Sequence, residues 1–342
     1  MSASSTPTRV LQPYRRLAPT TNPYIVMLHQ ALEATPGVEP VLFSYPRALL
    51  GGYDVVHLHW PETRLEGRSP ARRYVRRLLA FAFLLRVRIA GIPIVRTLHN
   101  LDVPQGLTRT DYLYLRLADR WTSLYIRLNE TTPVPEGRPY VTVPHGHYRD
   151  WYAQHPRSRT APGRIAYAGL VRRYKNVVGL VTAFVQAHEA DPGLSLVVAG
   201  KPSNEDLVRE ILAAAGDTPD IHLDLRFLDD VELVRVVTEA ELVALPFLQM
   251  HNSGTILLAL SLDRPVLVPR NEANQLLADE VGPGWVQQFD GELTGDALLA
   301  AVSVVRRPRA ASPDLSRRDW TVTGAAHRDA YLQALSIRRG RR

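Results

Sequence analysis

Residues 249–269 read QMHNSGTILLALSLDRPVLVP, and this stretch decides the fold class. The polar group from His251 to Thr255 opens an apolar run, SGTILLALSLD, that predicts a helix. The run RPVLVP (264–269) then predicts a buried strand. The same alternation of short apolar strand and helix continues along most of the chain. Such alternation is typical of an α/β protein with parallel sheets.

The alternation divides into two halves of similar size. The chain has 342 residues, a length that suggests two domains. A polar segment with proline and glycine, YRDWYAQHPRSRTAPG (148–163), interrupts the pattern and is typical of a linker. We predict Rossmann-like domains over 1–150 and 151–318, facing a central cleft. Residues 319–342 are predicted to form a helix that packs back on the N-terminal domain, followed by a basic tail.

Local patterns place the individual elements. Helices are predicted from near Asn22, over about 69–90, from Thr108 or Thr110, and over 176–190. The predicted strands are RVLQPY (9–14), PVLFSY (40–45), DVVHLHW (54–60), IPIVRTLHN (92–100), LYIRLN (124–129), PYVTVPHG (139–146), GRIAYAGL (163–170), LSLVVAG (194–200), IHLDLRFL (221–228), ELVALPF (241–247) and RPVLVP (264–269).

Composition limits the compartment and the partners. Hydrophobic residues make up 45% of the chain, which is enough for substantial cores. There is no cysteine, so disulfides and thiolate metal sites are excluded. The formal charge of +7 and the pI of about 9.8 favour anionic partners. The longest clear apolar run, LLAFAFLL (78–85), is too short to span a bilayer, which predicts a cytoplasmic or peripheral protein.

Polar side chains collect where the predicted strands end. Since the carboxyl ends of parallel strands meet at one edge of a sheet, we expect these groups to line a ligand site. Each residue taken singly is better interpreted as a surface or capping residue. The candidates are His57, His59, Glu62, Arg96, His99, Asn100, His145, His147 and Asp150 in the first half, and Arg172, Arg173, Lys175, Lys201, His251, Asn252, Ser253 and Thr255 in the second.

The NSGT cluster predicts an anion site. Asn252 or Ser253 is a good helix N-cap, and Gly254 would let a ligand approach the backbone. The free N–H groups and partial positive charge of the following helix suit a phosphate. Arg172 and Lys175 would hold a diphosphate at that helix. The alternative is that the same residues cap a buried helix that binds no ligand.

Other site signatures are absent or weak. The sequence has no G-x-x-x-x-G-K-[ST] loop, no H-E-x-x-H, and no D-x-D motif for a metal-bound nucleotide diphosphate. His57 and His59 would share one face of a strand, as a metal pair does. More often one such histidine packs and the other hydrogen-bonds, so no metal site is predicted.

The segment SPARRYVRRLLAFAFLLRVRIAG (69–91) is basic and amphipathic. Such a helix can lie on an anionic membrane surface, and the alternative is a core-facing helix with a solvated arginine edge. Nucleic acid is disfavoured as a partner because the arginines are not interleaved with stacking aromatics. Its arginines are Arg72, Arg73, Arg76, Arg77, Arg86 and Arg88, and its apolar residues include Tyr74, Leu78, Phe81, Leu84 and Leu85.

The chain as a whole resembles the GT-B glycosyltransferases. More narrowly, it resembles the xanthan-type GDP-mannose:glycolipid β-1,4-mannosyltransferases, glycosyltransferase family 94. The set of motifs is specific in combination and runs from end to end. The segments that carry the resemblance are TNPY (21–24), DVVHLHWPE (54–62), VRTLHN (95–100), HGHYRDW (145–151), GLVRRYK (169–175), QMHNSGT (249–255), LLALSLDRPVL (257–267), DEVGPGWV (279–286) and PDLSRRDW (313–320).

This resemblance implies an inverting transfer of mannose from GDP-mannose in exopolysaccharide biosynthesis. The implied acceptor is a polyprenyl-diphosphate oligosaccharide, with a glucuronic acid end as one candidate. It also implies peripheral, monotopic attachment to the cytoplasmic side of the cell membrane. No cofactor or metal is expected.

One departure separates the chain from the broader GT4-type group. Retaining enzymes of that group usually place two glutamates, with seven residues between them, around this helix. The matching positions hold Met250 and Leu258. This departure disfavours retaining chemistry and favours the narrower, inverting family.

An inverting transfer requires a general base and positive charge for the leaving diphosphate. We predict Glu62 as the base, His59 as the second candidate and Asp150 as the third. Asn22, His99 and His147 are expected on the acceptor side. The predicted donor-binding residues are Arg172, Lys175, Lys201, His251, Asn252, Ser253, Gly254 and Thr255.

Two other functions remain open from the sequence. One is a retaining GT4-type transferase that uses another sugar nucleotide. The other is a non-enzymatic protein that binds anionic glycan or lipid, which would bind anions without turning over a nucleotide sugar.

Overall fold

The computed structural model describes residues 6–18, 21–66, 69–100 and 106–340. The chain divides into two compact units. Unit 1 comprises Met1–Gly146 and Arg318–Arg342, and unit 2 comprises His147–Arg317. The predicted basic tail ends in Arg341 and Arg342, which lie outside the described residues.

The order of elements alternates strand and helix in both units. The elements before Gly146 are β1 (Thr8–Leu11), α1 (Pro23–Ala34), β2 (Val38–Val41), α2 (Tyr45–Leu50), β3 (Val55–Leu58), α3 (Pro70–Ala90), β4 (Ile94–Leu98), α4 (Arg109–Trp121), β5 (Thr122–Arg127) and β6 (Tyr140–Thr142). Unit 2 contains α5 (Arg149–Tyr152), β7 (Arg164–Ala168), α6 (Val177–Ala190), β8 (Ser195–Ala199), α7 (Glu205–Ala215), β9 (Ile221–Asp224), α8 (Asp230–Glu239), β10 (Leu242–Ala244), α9 (Gly254–Ser261), β11 (Val266–Pro269), α10 (Glu272–Val281), β12 (Val286–Phe289) and α11 (Gly295–Val305). The last helix, α12 (Trp320–Arg339), belongs to unit 1.

Each unit contains a six-stranded parallel sheet. The strand order in unit 1 is β2-β1-β3-β4-β5-β6, and in unit 2 it is β12-β11-β10-β7-β8-β9. The order in unit 2 is that of the dinucleotide-binding fold, in which the chain reverses direction across the sheet between β7 and β10. Ligands bind at such a switch point, beyond the carboxyl ends of the strands. The α/β fold class predicted from the sequence is therefore confirmed.

Local sequence explains where the helices begin. Asn22 caps α1 by accepting a hydrogen bond from the Tyr24 N–H at 3.0 Å. Thr108 and Asp111 form a reciprocal capping box at the start of α4. Ser69 caps α3, Pro70 occupies its first position, and Gly91 ends it with φ of 67°. These three helices begin where the sequence predicts.

The segment predicted as a linker is part of unit 2. Its first residues form α5, and the Tyr148 N–H donates to Ser261 Oγ at 2.8 Å. The indole N–H of Trp151 donates to Asp230 at 2.9 Å. Because these contacts tie the segment to unit 2, the division between units falls before His147, four residues ahead of the predicted one.

The last part of unit 2 lies beyond the predicted elements. Helices α10 and α11 and strand β12 follow the RPVLVP strand, and β12 pairs in parallel with β11. The strand VQQF of β12 has two half-buried glutamines at its centre. Such a strand gives no continuous apolar run, so its period is not visible in the sequence.

Helix α12 completes unit 1. It packs against α1 and against the face of the sheet, where Tyr331 and His327 are fully buried. The Tyr331 hydroxyl lies 2.8 Å from His57 Nδ1 on β3. The C-terminal helix thus forms part of the core of the N-terminal unit.

Candidate active site

The candidate donor site lies at the switch point of unit 2. Strands β7 and β10 are neighbours, so the loops that follow them leave the same edge of the sheet side by side. The Leu248 N–H donates to the Tyr174 carbonyl at 2.8 Å, which joins the two loops. The structure therefore brings together the segments GLVRRYK and QMHNSGT.

Lys175 is the most unusual side chain at this edge. It is buried, and its ammonium group lies 5.0 Å from the centre of the Phe247 ring, in a cation–π contact. No acidic side chain among the described residues pairs with it. Burial, and secondarily the nearby Arg172, lowers the pKa of Lys175 to about 8. A buried cation without an acidic partner is suited to an anionic ligand.

The three other basic residues at this edge of the sheet, Arg172, Arg173 and Lys201, differ in their exposure and in the groups to which they donate hydrogen bonds. Arg172 is half-buried, and its Nη1 donates to the Val171 carbonyl at 2.9 Å and to the Lys201 carbonyl at 3.3 Å. Arg173 turns outward and forms a bidentate pair with Glu210 on α7. Lys201 is exposed. Arg172 and Lys175 therefore remain the two cations placed for a donor phosphate.

The NSGT cluster spans the start of helix α9. Asn252 and Ser253 come before the helix, and Gly254 and Thr255 are its first two residues. The residues from His251 to Thr255 are half-buried, and Ser253 occupies the N-cap position without a side-chain cap hydrogen bond. Ser253 thus takes one of the two predicted N-cap positions, but its side chain does not supply the cap hydrogen bond. Burial lowers the pKa of His251, so its imidazole is neutral at pH 7.

Gly254 also has a packing neighbour in unit 2. A Cβ atom at this position would lie 3.1 Å from the Tyr148 hydroxyl, tighter than ordinary van der Waals contact. The backbone of Gly254 is thus approached closely by a side chain of unit 2, and glycine leaves room for it. The approach of a ligand to this backbone stays a prediction.

No carboxylate stands at the positions that distinguish the GT4-type group. Met250 is buried, and its carbonyl accepts a hydrogen bond from Asn271 Nδ2 at 3.0 Å. Asn274, also buried, donates to the Pro269 carbonyl at 2.7 Å, and its Nδ2 lies 3.5 Å from Met250 Sδ. Two asparagines of α10 and its cap therefore fix the loop before α9. Sequence reasoning missed both, because the contact depends on α10.

A separate cavity of about 230 Å³ lies in unit 1. It sits beyond the carboxyl ends of β3 and β4 and against α4. It brings together five residues of the predicted set, namely His59, Glu62, Arg96, His99 and Asn100. Its other lining residues include Trp60, Asp119 and Tyr125.

Glu62 lies on a short 3₁₀ turn, Pro61–Arg64, that follows β3. Its side chain is half-buried, and burial raises the pKa of its carboxyl group, with Arg96 opposing that rise. Arg96 itself forms an ion pair with Asp119 across the cavity wall. The pKa of Glu62 is therefore raised, and no basic side chain among the described residues forms an ion pair with it.

His59 is poorly placed to act on a substrate. It is almost fully buried, its Nδ1 lies 2.9 Å from His99 Nε2, and burial lowers its pKa to about 3. His99 is half-buried and stacks on Trp60, with ring centres 4.1 Å apart. His59 is thus in contact with His99 and is a weak base in the folded protein, while its role and that of Glu62 in the reaction stay predictions.

Three further histidines of unit 1, namely His57, His145 and His327, complete a network of neutral histidines with His59 and His99. Both ring nitrogens of His57 are within 2.8 Å of hydroxyl oxygens, from Tyr331 and Thr97. Burial lowers the pKa of His327 to about 4 and that of His145 to about 4. Among the described residues, no group of three or more histidines or carboxylates has the arrangement of a metal site.

This network makes unit 1 sensitive to acid. The folded-state pKa values lie below 6.5, so between pH 6.5 and 4 the unfolded chain binds more protons, and stability falls as pH falls. We expect each buried histidine to contribute about 1 kcal/mol of destabilisation between pH 7.5 and 5.5, measured by urea unfolding. His327→Gln should reduce this loss, and the exposed His222→Gln should not. Equal stability of the wild type at both pH values would contradict the prediction.

The other predicted residues lie outside the cavity of unit 1. Asn22 is exposed and serves as the cap of α1. His147 is buried in unit 2, where its Nδ1 accepts from the Arg149 N–H at 3.3 Å. Asp150 is exposed on α5, also in unit 2. The expectation that His147 belongs to the N-terminal domain is wrong, because the domain boundary precedes it.

Comparison with known proteins identifies the family. Two curated proteins from Xanthomonas campestris pv. campestris, both named GDP-mannose:glycolipid 4-beta-D-mannosyltransferase, are each 43% identical to this chain over 317 residues. The match covers 92% of this chain and 89% of each relative. The chain belongs to this glycosyltransferase family. No family model matches the chain.

Solved structures confirm the fold. HepE of Anabaena, in complex with UDP and glucose, has a TM-score of 0.57 and 15% identity, covering 97% of this chain and 98% of HepE. Sucrose-phosphate synthase from Thermosynechococcus elongatus also has a TM-score of 0.57, at 12% identity, covering 98% and 97%. At such identities the likeness shows the fold alone. It is the GT-B fold, as the sequence resemblance implies, and the protein is an enzyme of the glycosyltransferase class.

Proposed function

We propose that this enzyme transfers mannose from GDP-mannose to a glycolipid and forms a β-1,4 linkage with inversion. The proposed binding of the donor rests on one observation, the buried Lys175 beside Arg172 at the switch point of unit 2, with which no described acidic residue pairs. The names of the Xanthomonas relatives support mannose and glycolipid as the two substrates.

The leaving group is a nucleoside diphosphate, which develops negative charge as the sugar departs. Lys175 and Arg172 meet this charge, together with the N–H groups at the start of α9. The chain has no D-x-D motif, and two cationic side chains supply the positive charge that a metal ion supplies elsewhere. The proposal therefore assigns leaving-group stabilisation to protein groups.

Glu62 is proposed as the general base. It would accept the proton of the acceptor hydroxyl as that oxygen attacks C1 of mannose and the bond to the diphosphate breaks. A raised pKa brings the carboxylate closer to neutral pH, where a base is both ionised and effective. Since the donor is an α-linked sugar, one displacement gives the β product. Met250 and Leu258, in place of the GT4 glutamates, support this chemistry over retention.

The proposed acceptor is a polyprenyl-diphosphate oligosaccharide of exopolysaccharide biosynthesis. A glucuronic acid end is one candidate for the accepting sugar. The glycolipid in the relatives' name supports a lipid-linked acceptor. Such an acceptor is held in a bilayer, so the enzyme must reach a membrane surface.

We assign that contact to the outer face of α3. The inner face, with Ala80, Phe83, Leu84 and Val87, packs in the core of unit 1. The opposite face carries side chains that are more than half exposed, namely Tyr74, Val75, Leu78, Leu85 and Ile89. Exposed arginines lie on the same helix. No helix among the described residues is long and apolar enough to cross a bilayer.

An apolar stripe bordered by arginines is the pattern of a helix that lies in an anionic interface. Two of the arginines serve the fold instead, since Arg77 pairs with Asp111 at 2.8 Å and Arg86 donates to the Leu49 carbonyl at 2.6 Å. The proposed location is thus the cytoplasmic side of the cell membrane, as a peripheral protein.

The membrane contact gives a direct prediction. Leu78→Glu/Leu85→Glu should weaken binding to vesicles that contain anionic lipid by on the order of 100-fold, because apolar contact is lost and negative charge is added. Flotation of the protein with vesicles measures this. The control Leu212→Glu/Leu332→Glu changes two similarly exposed leucines on α7 and α12, with the same change in charge. Equal loss by both variants would contradict the assignment.

Thermal unfolding with nucleotides tests the donor. A ligand that binds only the folded protein raises its melting temperature. We expect GDP and GDP-mannose to raise it, and UDP and ADP to raise it less, with and without magnesium. A larger shift with UDP would overturn mannose as the sugar. No shift with any nucleotide would overturn the transferase proposal in favour of an anionic glycan- or lipid-binding protein.

A further inference from the structure

A second cavity of unit 1, of about 180 Å³, lies at the far end of the sheet from Glu62. It opens where β5 begins, at Thr122 and Ser123, and the ends of three helices surround it. Each helix supplies one arginine, Arg88 from α3, Arg120 from α4 and Arg338 from α12. Among the residues that the structure describes, no acidic side chain lines this cavity.

The arginines are not all needed to satisfy the helix ends. Arg338 Nε donates to the Gly91 carbonyl at 3.1 Å, at the end of α3. Arg138, outside the cavity lining, donates to the Asp119 carbonyl at 3.2 Å and to the Arg120 carbonyl at 3.3 Å, at the end of α4. The side chains of Arg88 and Arg120 are exposed, and no described acidic residue pairs with either. Like charges gathered in this way repel one another unless an anion lies between them.

The wall of the cavity shows a local irregularity. In the register of β4 with β5, Ile94 pairs with Thr122 and Val95 pairs with Leu124. Ser123 is therefore an extra residue on β5, and it is among the residues that line the cavity. A bulge of this kind redirects a side chain and interrupts the ladder, and the residue at this place carries a hydroxyl group.

An apolar surface adjoins this basic cavity. Ile89 follows Arg88 on α3 and is the most exposed apolar residue of the outer face, with 76% of its surface accessible. Leu85, one turn earlier, continues that face toward Tyr74. Positive charge in a cavity next to an apolar stripe matches a ligand that has both a phosphate and a hydrocarbon chain.

We propose that this cavity binds the phosphate of an anionic membrane lipid, with the acyl chains along the outer face of α3. Arg88 and Arg120 hold the phosphate oxygens, and Ser123 donates a hydrogen bond. This proposal rests on the proposed membrane contact of α3. It does not depend on the proposed donor site of unit 2 or on Glu62 as the general base. The cavity would bind one lipid molecule at a defined place. A basic surface alone attracts anionic lipids without such a defined site.

A soluble lipid separates this site from general attraction to a charged membrane. Dihexanoyl phosphatidylglycerol below its micelle concentration is titrated against the full chain, and binding is followed by tryptophan fluorescence, since Trp121 lines the cavity. We expect saturable binding of this lipid and none of dihexanoyl phosphatidylcholine. Arg88→Gln/Arg120→Gln should weaken binding by on the order of tenfold or more.

The matched control is Arg73→Gln/Arg116→Gln. It removes one exposed arginine from α3 and one from α4, with the same change in net charge, outside the cavity. This control should bind the anionic lipid as the wild type does. Equal weakening in both variants, or no saturable binding to the wild type, would overturn the site.

Inorganic phosphate and glycerol 3-phosphate are tested as competitors at millimolar concentration. Weak competition is expected, because they lack the apolar part. Binding of either as tightly as the lipid would overturn the lipid as occupant in favour of a free phosphate. The melting shift with GDP is measured on the same samples. If GDP raises the melting temperature as expected but the lipid does not bind, the lipid site is refuted and the donor proposal stands. If the lipid binds but GDP does not raise the melting temperature, the donor proposal is refuted and the lipid site stands.

Discussion

Replacing Glu62 by glutamine is expected to lower kcat for mannosyl transfer by about 10²- to 10⁴-fold. Glutamine keeps the size of the side chain and its place in the cavity, but it cannot take the proton of the acceptor hydroxyl. The melting shift with GDP should be unchanged, because the donor-binding residues belong to unit 2. A fall in kcat with donor binding preserved identifies a group that acts in the chemical step.

The neighbouring acid provides the control. Glu66 is exposed on the loop after the same 3₁₀ turn, and Glu66→Gln changes net charge equally. Its activity should stay close to that of the wild type. For the wild type, kcat should fall as pH drops through the raised pKa of Glu62, since protonation removes the base. Near-full activity of a folded Glu62→Gln enzyme would exclude Glu62 as the base.

Replacing Lys175 by methionine is expected to weaken GDP binding by on the order of 100-fold, the value of a charge-assisted hydrogen bond to a buried phosphate. Methionine keeps the apolar length of the side chain against Phe247 and removes the charge. Because no described acidic residue pairs with the buried ammonium, its loss should leave the ligand-free protein at least as stable as the wild type. Calorimetric titration with GDP and thermal unfolding measure the two effects.

The pH dependence of the wild type tests the same residue. Its pKa of about 8 means that Lys175 loses its proton above pH 8, so GDP affinity should fall there, and the fall should be absent in Lys175→Met. Between pH 8 and 10.5 the unfolded chain binds more protons at this position, so the cost of burying Lys175 fades as pH rises. The stability advantage of Lys175→Met should narrow over the same range.

Arg173→Gln is the control for Lys175→Met. Arg173 is a neighbour in sequence, but it is exposed and paired with Glu210 on α7. Its loss should change GDP affinity by less than about threefold, as for a surface ion pair. Equal loss of affinity in both variants would contradict a specific role for Lys175.

The fold was predictable because it rests on local and periodic signals. Buried parallel strands such as VVHL of β3 give continuous apolar runs, and capping residues such as Asn22 and Thr108 mark the helix starts. The same logic failed for β12, whose central glutamines hide its period. It also failed at residues 148–163, where polar composition suggested a linker although α5 binds to unit 2.

The candidate site was predictable in part. The ends of parallel strands placed Glu62, His59 and His99 around one cavity. The burial of the histidines was not predictable, because α12 arrives from the other end of the chain and covers β3 with Tyr331. The same limit applies to Gly254, since its neighbour Tyr148 is distant in sequence.

In helix α3, the periodicity of apolar residues does not show which face of the helix is buried. The amphipathic pattern of the sequence predicts a single apolar face, yet Leu84 lies in the core and Leu85 is exposed. The helix has an apolar face on both sides, and only the packing of the sheet decides which one is buried. The outer face then becomes evidence for a partner.

The product of the reaction gives the most direct test of the proposed inverting mannosyl transfer. The enzyme is incubated with GDP-mannose and a synthetic polyprenyl-diphosphate oligosaccharide ending in glucuronic acid, and the anomeric configuration of the added mannose is determined by NMR against α- and β-mannoside standards. We expect a product that carries a single added mannose, β-linked to O4, and an amount of released GDP equal to the amount of product. An α-linked product, or transfer from another sugar nucleotide but not from GDP-mannose, would contradict the proposed transfer.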